Sequence, residues 1–303
     1  MADLSVNICG VKLKNPVIAA SGTFGFGREY DEVYDISVLG GISTKGMTNA
    51  PRLGNKVPRI AEGHGVILNA VGLQNPGVKH FLKHDLSFLK DKKVAVIANV
   101  AGGTLEDYGT ICATLDGLVD MVELNISCPN VRAGGMALGI RPENIEEVTA
   151  LSKRNLKKTP LMVKLSPNVE SIPTNAKAAE RGGADCISLV NTFTGMVIDI
   201  EKRRPLIANN TGGVSGAGIK PIAVRMVYEA AHAVSIPVVG MGGIMTGKDA
   251  IEFMMAGARA VQVGTANFAD ANAMPRIIRE MNDWLDAHNI ADVNEIVDTV
   301  KLN

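Results

Sequence analysis

A single cysteine stands in a segment where its thiol could take part in chemistry. Residues 121–130 read MVELNISCPN, and the apolar run with Glu123 and Asn125 interleaved predicts a strand that Pro129 brings to an end. This places Cys128 at the carboxyl end of a strand, where α/β proteins commonly position reactive groups. A lone cysteine is usually a buried structural residue. A loop flanked by serine, proline and asparagine is a poor place to bury one, so we interpret Cys128 as a candidate acid–base group.

Two lysines and several asparagines follow other predicted strands. Lys45 and Lys164 each end an apolar strand and must reach a partner or solvent. One such lysine would indicate a salt bridge, whereas two favour an anionic or electron-rich ligand. The asparagines at or just past strands are Asn69, Asn99, Asn125, Asn130 and Asn191. Together they indicate recognition of a ring with alternating donors and acceptors, such as a pyrimidine or an isoalloxazine. Because the five histidines fall in predicted loops or helices, we assign the general base to Cys128.

Glycine-rich stretches end the last two predicted strands. The sequences GMGG at 240–243 and VGTA at 263–266 are typical of barrel loops that bind phosphate through backbone N–H groups. A third stretch, TGGVSGAG at 211–218, has two interpretations that the sequence leaves open. It either closes over the same ligand or forms a disordered surface loop.

The elements that must position these residues alternate between strand and helix. Eight short strands are predicted within 15–22, 41–46, 94–100, 121–126, 160–165, 184–190, 237–241 and 259–263. Amphipathic stretches lie between them, and TGKD at 246–249 predicts a capping box. The pattern predicts an α/β fold, a (β/α)8 TIM barrel, with an N-terminal β-hairpin that turns at Gly10. Long insertions at 47–77 and 191–220, after strands two and six, should lie on the active-site face. We expect residues 1–303 to form a single domain.

Composition excludes several classes of function. Lysine plus arginine equals aspartate plus glutamate at 31 each, so the formal net charge is zero and no strong field favours nucleic acid or an acidic membrane. The four cysteines are scattered, so we predict neither a disulfide framework nor a metal site. No apolar run is long enough for a membrane span, and the N-terminus lacks the features of a signal peptide. We therefore expect a cytoplasmic protein.

These motifs, taken in order, resemble those of class 1 dihydroorotate dehydrogenases over essentially the whole chain. The segments that carry the resemblance are NP at 15–16, ASG at 20–22, TKG at 44–46, NAVGLQNPG at 69–77, NISCPN at 125–130, KLSP at 164–167, VNT at 190–192, Gly216, GG at 242–243 and GT at 264–265. Each is weak alone, but their joint order and spacing are specific.

The resemblance implies FMN in the barrel mouth and oxidation of (S)-dihydroorotate to orotate in pyrimidine biosynthesis. Hydride would pass from C6 to flavin N5 while Cys128 takes the C5 proton. The residues implied to hold the flavin are Ser21, Lys45, Gly46, Asn99, Asn125, Lys164, Val190, Gly216, Gly242, Gly243, Gly264 and Thr265. Those implied to hold the substrate are Lys45, Asn69, Ala70, Val71, Gly72, Leu73, Asn125, Asn191 and Thr192.

Within class 1, the chain resembles the catalytic FMN subunit of the NAD-linked branch (class 1B). The supporting sequences are VRAGGMALG at 131–139 and NVAGG at 99–103. This branch implies a partner subunit carrying FAD and a [2Fe–2S] cluster, in a heterotetramer of two catalytic and two electron-transfer subunits. Three alternatives remain. The first is the fumarate-linked class 1A enzyme. The second is a different FMN barrel such as a tRNA-dihydrouridine synthase, which would need a basic face to bind RNA, and the third is a barrel that binds a phosphorylated ligand without catalysis.

Overall fold

The computed structural model describes residues 2–126 and 139–303. Numbered in chain order, the first two strands, β1 (Val6–Ile8) and β2 (Val11–Leu13), form an antiparallel hairpin that turns at Cys9 and Gly10. Gly10 has a φ of 86°, a left-handed conformation that glycine adopts without steric cost. The predicted hairpin and its turn are thus confirmed.

Eight parallel strands close into a barrel, as predicted. They are β3 (Val17–Ala19), β4 (Gly41–Ser43), β7 (Ala95–Val100), β8 (Met121–Asn125), β9 (Leu161–Lys164), β10 (Cys186–Leu189), β15 (Val238–Met241) and β16 (Ala260–Val263). Each falls within a range predicted from the sequence. Pairing of β16 with β3, with Val261 opposite Val17, closes the barrel. Nearly all residues of these strands are buried, because the barrel interior covers one face and the helices cover the other.

Helices surround the barrel. They are α1 (Arg28–Asp31), α2 (Val78–His84), α3 (Leu86–Asp91), α4 (Leu105–Leu115), α5 (Pro142–Asn155), α6 (Ile172–Arg181), α7 (Lys220–Ala231), α8 (Gly247–Met255), α9 (Ala266–Ala269) and α10 (Ala273–Ala287). Short 3-10 helices span Ile36–Val38, Ala217–Ile219 and Val293–Ile296. The predicted capping box is confirmed at the start of α8, where Thr246 and Asp249 exchange side-chain and backbone hydrogen bonds. No helix of the described ranges is both long and apolar enough to cross a membrane.

The two long insertions build a sheet of their own above the barrel. The first carries β5 (Ile60–Gly63) and β6 (Val66–Asn69), and the second carries β11 (Phe193–Gly195), β12 (Ile198–Asp199), β13 (Arg204–Pro205) and β14 (Gly212–Ser215). The order β11-β14-β6-β5 joins both insertions in one antiparallel sheet, and β12 pairs with β13.

The glycine-rich stretch at 211–218 lies in this sheet, so its interpretation as a disordered surface loop is wrong for Gly212–Ser215. The glycines are needed for close contact. A Cβ at Gly212 would lie 2.4 Å from the backbone oxygen of Asn69, and one at Gly213 would lie 2.0 Å from Oγ1 of Thr192.

Candidate functional site

One pocket lies at the carboxyl ends of the barrel strands, beneath the sheet of the two insertions. Sixteen of the residues proposed from the sequence line it, namely Ser21, Lys45, Gly46, Asn69, Val71, Gly72, Leu73, Asn125, Lys164, Val190, Asn191, Thr192, Gly242, Gly243, Gly264 and Thr265. They come from the ends of β3, β4, β8, β9, β10, β15 and β16 and from β6. Most of them were proposed because they follow predicted strands, and the pocket does lie at the carboxyl ends of these strands.

Three of the proposed residues do not line the pocket. Ala70 is buried in a small apolar cluster with Ala61, Leu68 and Ile207. The carbonyl oxygen of Gly216 lies against Gly243, behind the pocket wall. Asn99 is fully buried below the floor, and its Oδ1 would lie 2.8 Å from a Cβ placed on Gly46. Asn99 and Gly216 can therefore support residues of the wall without lining it, while the substrate role implied for Ala70 has no direct support in the pocket lining.

Cys128 and Asn130 lie outside the described residues. Of the other cysteines, Cys112 is buried in α4, where burial raises the pKa of its thiol to about 12. Cys186 is buried in β10, where desolvation likewise raises its pKa far above the usual range. Cys9 lies on the N-terminal hairpin and donates to the backbone oxygen of Asp185. None of these three lines the pocket.

The two predicted lysines both line the pocket. Lys45 follows β4, and Lys164 ends β9, where it pairs in register with Asn125 of β8. Lys164 is only 5% exposed. They are the titratable side chains among the described residues that line the pocket. Because the pocket lining contributed by residues 2–126 and 139–303 contains two lysines and no aspartate or glutamate, it favours an anionic or electron-rich ligand.

A buried carboxylate lies below this floor. Glu123, in the middle of β8, is completely buried and accepts four hydrogen bonds. Ser43 Oγ and Asn99 Nδ2 each donate to its Oε2 over 2.6 Å, while Ser188 Oγ and Gln262 Nε2 each donate to its Oε1 over 2.7 Å. The donors come from β4, β7, β10 and β16, so one side chain links strands around the whole barrel. All of the lone-pair sites of an ionised carboxylate are used.

The charge of Lys164 keeps this carboxylate ionised. Burial by itself would raise the pKa of Glu123, but the ammonium of Lys164 and the hydrogen bonds from Ser43, Ser188 and Asn99 outweigh it and hold the pKa below its ordinary range. In the sequence, Glu123 is recognisable only as a polar residue within an apolar strand. No local signal identifies its donors, because they lie 24 to 139 residues away in the chain.

The asparagines at the mouth are oriented by one another and by the backbone. Asn191 accepts from the backbone N–H of Thr192 over 2.8 Å and donates from Nδ2 to Oδ1 of Asn125 over 3.3 Å. Asn69 donates to the backbone oxygen of Gly213 in the insertion sheet. The predicted convergence of carboxamides from distant strands is confirmed for Asn69, Asn125 and Asn191.

Glycines after β15 shape one side of the pocket next to a helix N-terminus. Gly242 and Gly243 have φ angles of 128° and 78°. A Cβ at Gly243 would lie 2.9 Å from the backbone nitrogen of Lys220, the first residue of α7, and 3.0 Å from the backbone oxygen of Gly216. This cradle of close backbone, next to the N-terminus of a twelve-residue helix, is suited to an anionic group such as phosphate.

Sequence reasoning missed several residues of the pocket. Gln262 lies in β16 and reaches the floor, and Ser215 accepts from Thr265 over 2.8 Å at the wall. The apolar residues that were missed are Ile60, Ile67, Ile219, Met241, Ile244, Met245 and Phe268, together with Ala20. The insertion strands were not predicted, so the inward side of β5 and β6 could not be assigned. A polar residue inside an apolar strand, as at Gln262, was the available signal.

The chain is similar to known proteins over nearly its whole length. The family model described as dihydroorotate dehydrogenase matches residues 3–285. A protein named dihydroorotate dehydrogenase B (NAD(+)), catalytic subunit, from Alkaliphilus oremlandii is 52% identical over 296 residues, covering 97% of this chain and 98% of its own. Proteins of the same name from Geobacter sp. strain M21 and Thermoanaerobacter pseudethanolicus are 50% and 52% identical over 302 residues, covering 99% of this chain and 99% and 100% of their own.

Proposed function

This chain belongs to the dihydroorotate dehydrogenase family, and on that premise we propose that it oxidises (S)-dihydroorotate to orotate with a bound FMN, in pyrimidine biosynthesis. The observation that carries the proposal is the convergence in one pocket of Lys45 and Lys164 with the carboxamides of Asn125 and Asn191. Dihydroorotate is an anionic ring with alternating N–H donors and carbonyl acceptors, which these groups complement.

The residues present fit FMN. The close backbone at Gly242 and Gly243, next to the N-terminus of α7, suits the phosphate, with Gly264 and Thr265 beside it. Below the pocket, Oδ1 of Asn99 and Oε1 of Gln262 are buried oxygens with no hydrogen-bond partner among the described residues. Buried acceptors of this kind normally have a partner, and the N–H edge of a flavin ring would supply one. The remaining residues proposed to hold the cofactor are Ser21, Lys45, Gly46, Asn125, Lys164, Val190 and Gly216.

Bound FMN would supply the hydride acceptor for C6 of dihydroorotate. Asn69, Val71, Gly72, Leu73, Asn125, Asn191 and Thr192, together with Lys45, would hold the substrate ring and its carboxylate. Lys164 would stabilise negative charge that develops on the reduced ring.

We assign the proton at C5 to Cys128. The thiol would act as a thiolate and accept this proton as general base. A free thiol has a pKa of about 8.5, so reduction of the flavin should become faster as pH rises toward that value. The titratable side chains of the described pocket lining are the two lysines, which we assign to ligand binding.

We further propose that the electrons pass to NAD⁺ through a separate subunit carrying FAD and a [2Fe–2S] cluster, in a heterotetramer with two copies of each subunit. The relatives are named as NAD(+)-linked catalytic subunits, which supports a division of labour. The four cysteines of this chain are scattered along the sequence and do not form a set of cluster ligands.

The test is to measure orotate formation by the purified, FMN-loaded chain with dihydroorotate and a dye acceptor, then with NAD⁺ or fumarate instead of the dye. We expect orotate with the dye and almost none with NAD⁺ or fumarate alone. Absence of orotate with every acceptor would refute the substrate assignment. Steady NADH formation by the lone chain would refute the partner assignment, and turnover with fumarate would favour the class 1A alternative.

A further inference from the structure

Glu123 lies too deep to touch a ligand, but it contacts one side chain that lines the pocket, Gln262, and one that lies directly under the pocket floor, Asn99. Gln262 reaches the pocket floor, and Asn99 lies against Gly46, which lines the same floor. Asn99 is completely buried and Gln262 is 1% exposed. Both donate their amide N–H groups to Glu123, from Nδ2 over 2.6 Å and from Nε2 over 2.7 Å.

These hydrogen bonds decide which end of each carboxamide is available to a ligand. An ionised carboxylate only accepts, so it takes the NH₂ end of each amide and leaves the carbonyl oxygen for the other side. Oδ1 of Asn99 and Oε1 of Gln262 are the two amide oxygens left without a partner among residues 2–126 and 139–303 on this floor. A neutral amide in place of the carboxylate would allow the side-chain amides of Asn99 and Gln262 to point either way. The negative charge at position 123 therefore determines that they present oxygen acceptors on their other side.

We propose that Glu123 is a positioning residue for the cofactor, which fixes Asn99 and Gln262 with their carbonyl oxygens toward the flavin and balances the charge of Lys164. This inference rests on the proposed function, because it deepens the account of the same pocket. It makes the floor a pair of acceptors for ring N–H groups beside one ammonium group. Hydrogen bonds and charges next to a flavin ring tune its reduction, so the effect of Glu123 reaches the chemistry through these three side chains.

The first test is Glu123→Gln. The new amide presents an N–H to either Asn99 or Gln262, which forces one of them to turn its oxygen inward and its NH₂ group toward the flavin. We expect FMN to bind the flavin-free protein about tenfold more weakly, the loss that one misdirected hydrogen bond produces. We also expect the flavin midpoint potential to move in the positive direction, because removal of a buried negative charge favours electron uptake. Unchanged affinity and potential would overturn the proposal.

A rescue variant separates positioning from damage to the fold. In Glu123→Gln/Gln262→Glu the same two side-chain types exchange places. The new amide at position 123 can donate to the new carboxylate at position 262, whose second oxygen again faces the pocket as an acceptor. We expect the dissociation constant for FMN to return to within about threefold of the wild-type value. The midpoint potential should move back toward that of wild type. A double variant as impaired as Glu123→Gln would overturn the proposal.

Thr149→Val is the structural control. Thr149 is completely buried in α5 and bonds only the backbone oxygen of Ile145 among the described residues, so its replacement lowers stability without reaching the pocket. A shift in potential equal to that of Glu123→Gln would show that loss of stability alone moves it, and the proposal would fall. If neither Glu123 variant folds, Gln262→Met replaces them. Weaker FMN binding than in Thr149→Val supports the proposal, and equal binding overturns it.

These readouts use FMN and do not involve dihydroorotate. A wild-type protein that binds FMN but is not reduced by dihydroorotate would refute the proposed substrate, while the role of Glu123 would still be judged by affinity and potential. A wild-type protein that does not bind FMN at all would refute both.

Discussion

Asn191 donates from Nδ2 to Oδ1 of Asn125 across the mouth of the barrel, over 3.3 Å. Asn191 follows β10 and Asn125 ends β8, so the hydrogen bond joins two strand ends on opposite sides of β9. The backbone N–H of Thr192 donates a hydrogen bond to Oδ1 of Asn191. This arrangement orients Nδ2 of Asn125 as a donor, in contrast to Asn99 and Gln262, which present oxygens below.

The pair predicts a specific defect in Asn191→Asp. A carboxylate cannot donate to Asn125, and it would repel the carboxylate of the substrate. We expect orotate to bind about tenfold more weakly or worse, with FMN affinity unchanged. Titration of orotate into the FMN-loaded protein, followed by the flavin spectrum, measures this. Asn294→Asp, at a partly buried asparagine outside the pocket that donates to the backbone oxygen of Ser5 and to Oδ1 of Asp292, is the matched control. Equal orotate affinity in the two variants would contradict the assignment.

Cys128→Ala should keep FMN but slow its reduction by dihydroorotate by about 10²–10⁴-fold, the usual contribution of a general base. In wild type the rate should rise with pH as the thiolate forms, and this rise should disappear in the variant. Stopped-flow absorbance of the flavin gives both results. Cys9→Ala removes a thiol on the hairpin, outside the pocket, and should leave the rate unchanged. A wild-type rate in Cys128→Ala would rule out the role assigned to this thiol.

Lys164→Met should destabilise the flavin-free protein strongly, because it leaves the buried carboxylate of Glu123 without its countercharge. We expect a loss of about 3–5 kcal/mol in the free energy of unfolding, the typical result of breaking a buried pair. Lys153→Met removes a lysine of the same charge that pairs with Asp185 near the surface, and should cost about 0–1 kcal/mol. Urea denaturation measures both, and similar losses would contradict the role of Lys164 as the countercharge.

The loss of stability in Lys164→Met should depend on pH in a direction that the pKa of Glu123 determines. In wild type the pKa of Glu123 is depressed, so its stabilisation is present above the unfolded value of about 4.3 and is lost as pH falls through the folded value. Without Lys164 the pKa of Glu123 in the folded state rises. As pH falls, Glu123 becomes protonated, and this removes the cost of burying an ionised carboxylate without a countercharge. The stability gap between Lys164→Met and wild type should therefore narrow from pH 7 toward pH 4. A gap that widens over this range would be inconsistent with the electrostatic explanation.

Gly243→Ala should abolish tight FMN binding. The φ of 78° already disfavours a side chain, and the new Cβ would contact the backbone of Lys220 and Gly216 at 2.9 and 3.0 Å. Gly10→Ala is the matched control, since its φ of 86° imposes similar strain with nothing within 4 Å. We expect Gly10→Ala to lose about 1–2 kcal/mol of stability with FMN affinity intact. Isothermal titration calorimetry measures the FMN affinity of both variants. Wild-type affinity in Gly243→Ala would contradict the proposal that the close backbone around Gly243 binds the FMN phosphate.

The barrel, and the lysines, asparagines and glycines that follow its strands, could be predicted because they depend on local sequence, whereas Ser21, Val71 and Thr192 were implied only by the family resemblance. Short β-branched runs mark strands, and the residue after each run marks the carboxyl end, which is how Lys45, Lys164 and Asn125 were found. Glu123 could not be assigned a role in this way, since its four partners come from separate strands and become neighbours only when the barrel closes. The insertion sheet was missed for a related reason. Its strands are three or four residues long and depend on pairing between the two insertions.

The most direct test of the whole account is the visible spectrum of the purified chain, recorded without oxygen before and after addition of dihydroorotate. We predict a yellow protein whose flavin absorbance bleaches on addition, with one orotate formed per flavin reduced. A yellow protein that does not bleach would contradict the assignment of dihydroorotate as substrate. A colourless protein that FMN cannot reconstitute would contradict the flavin site itself.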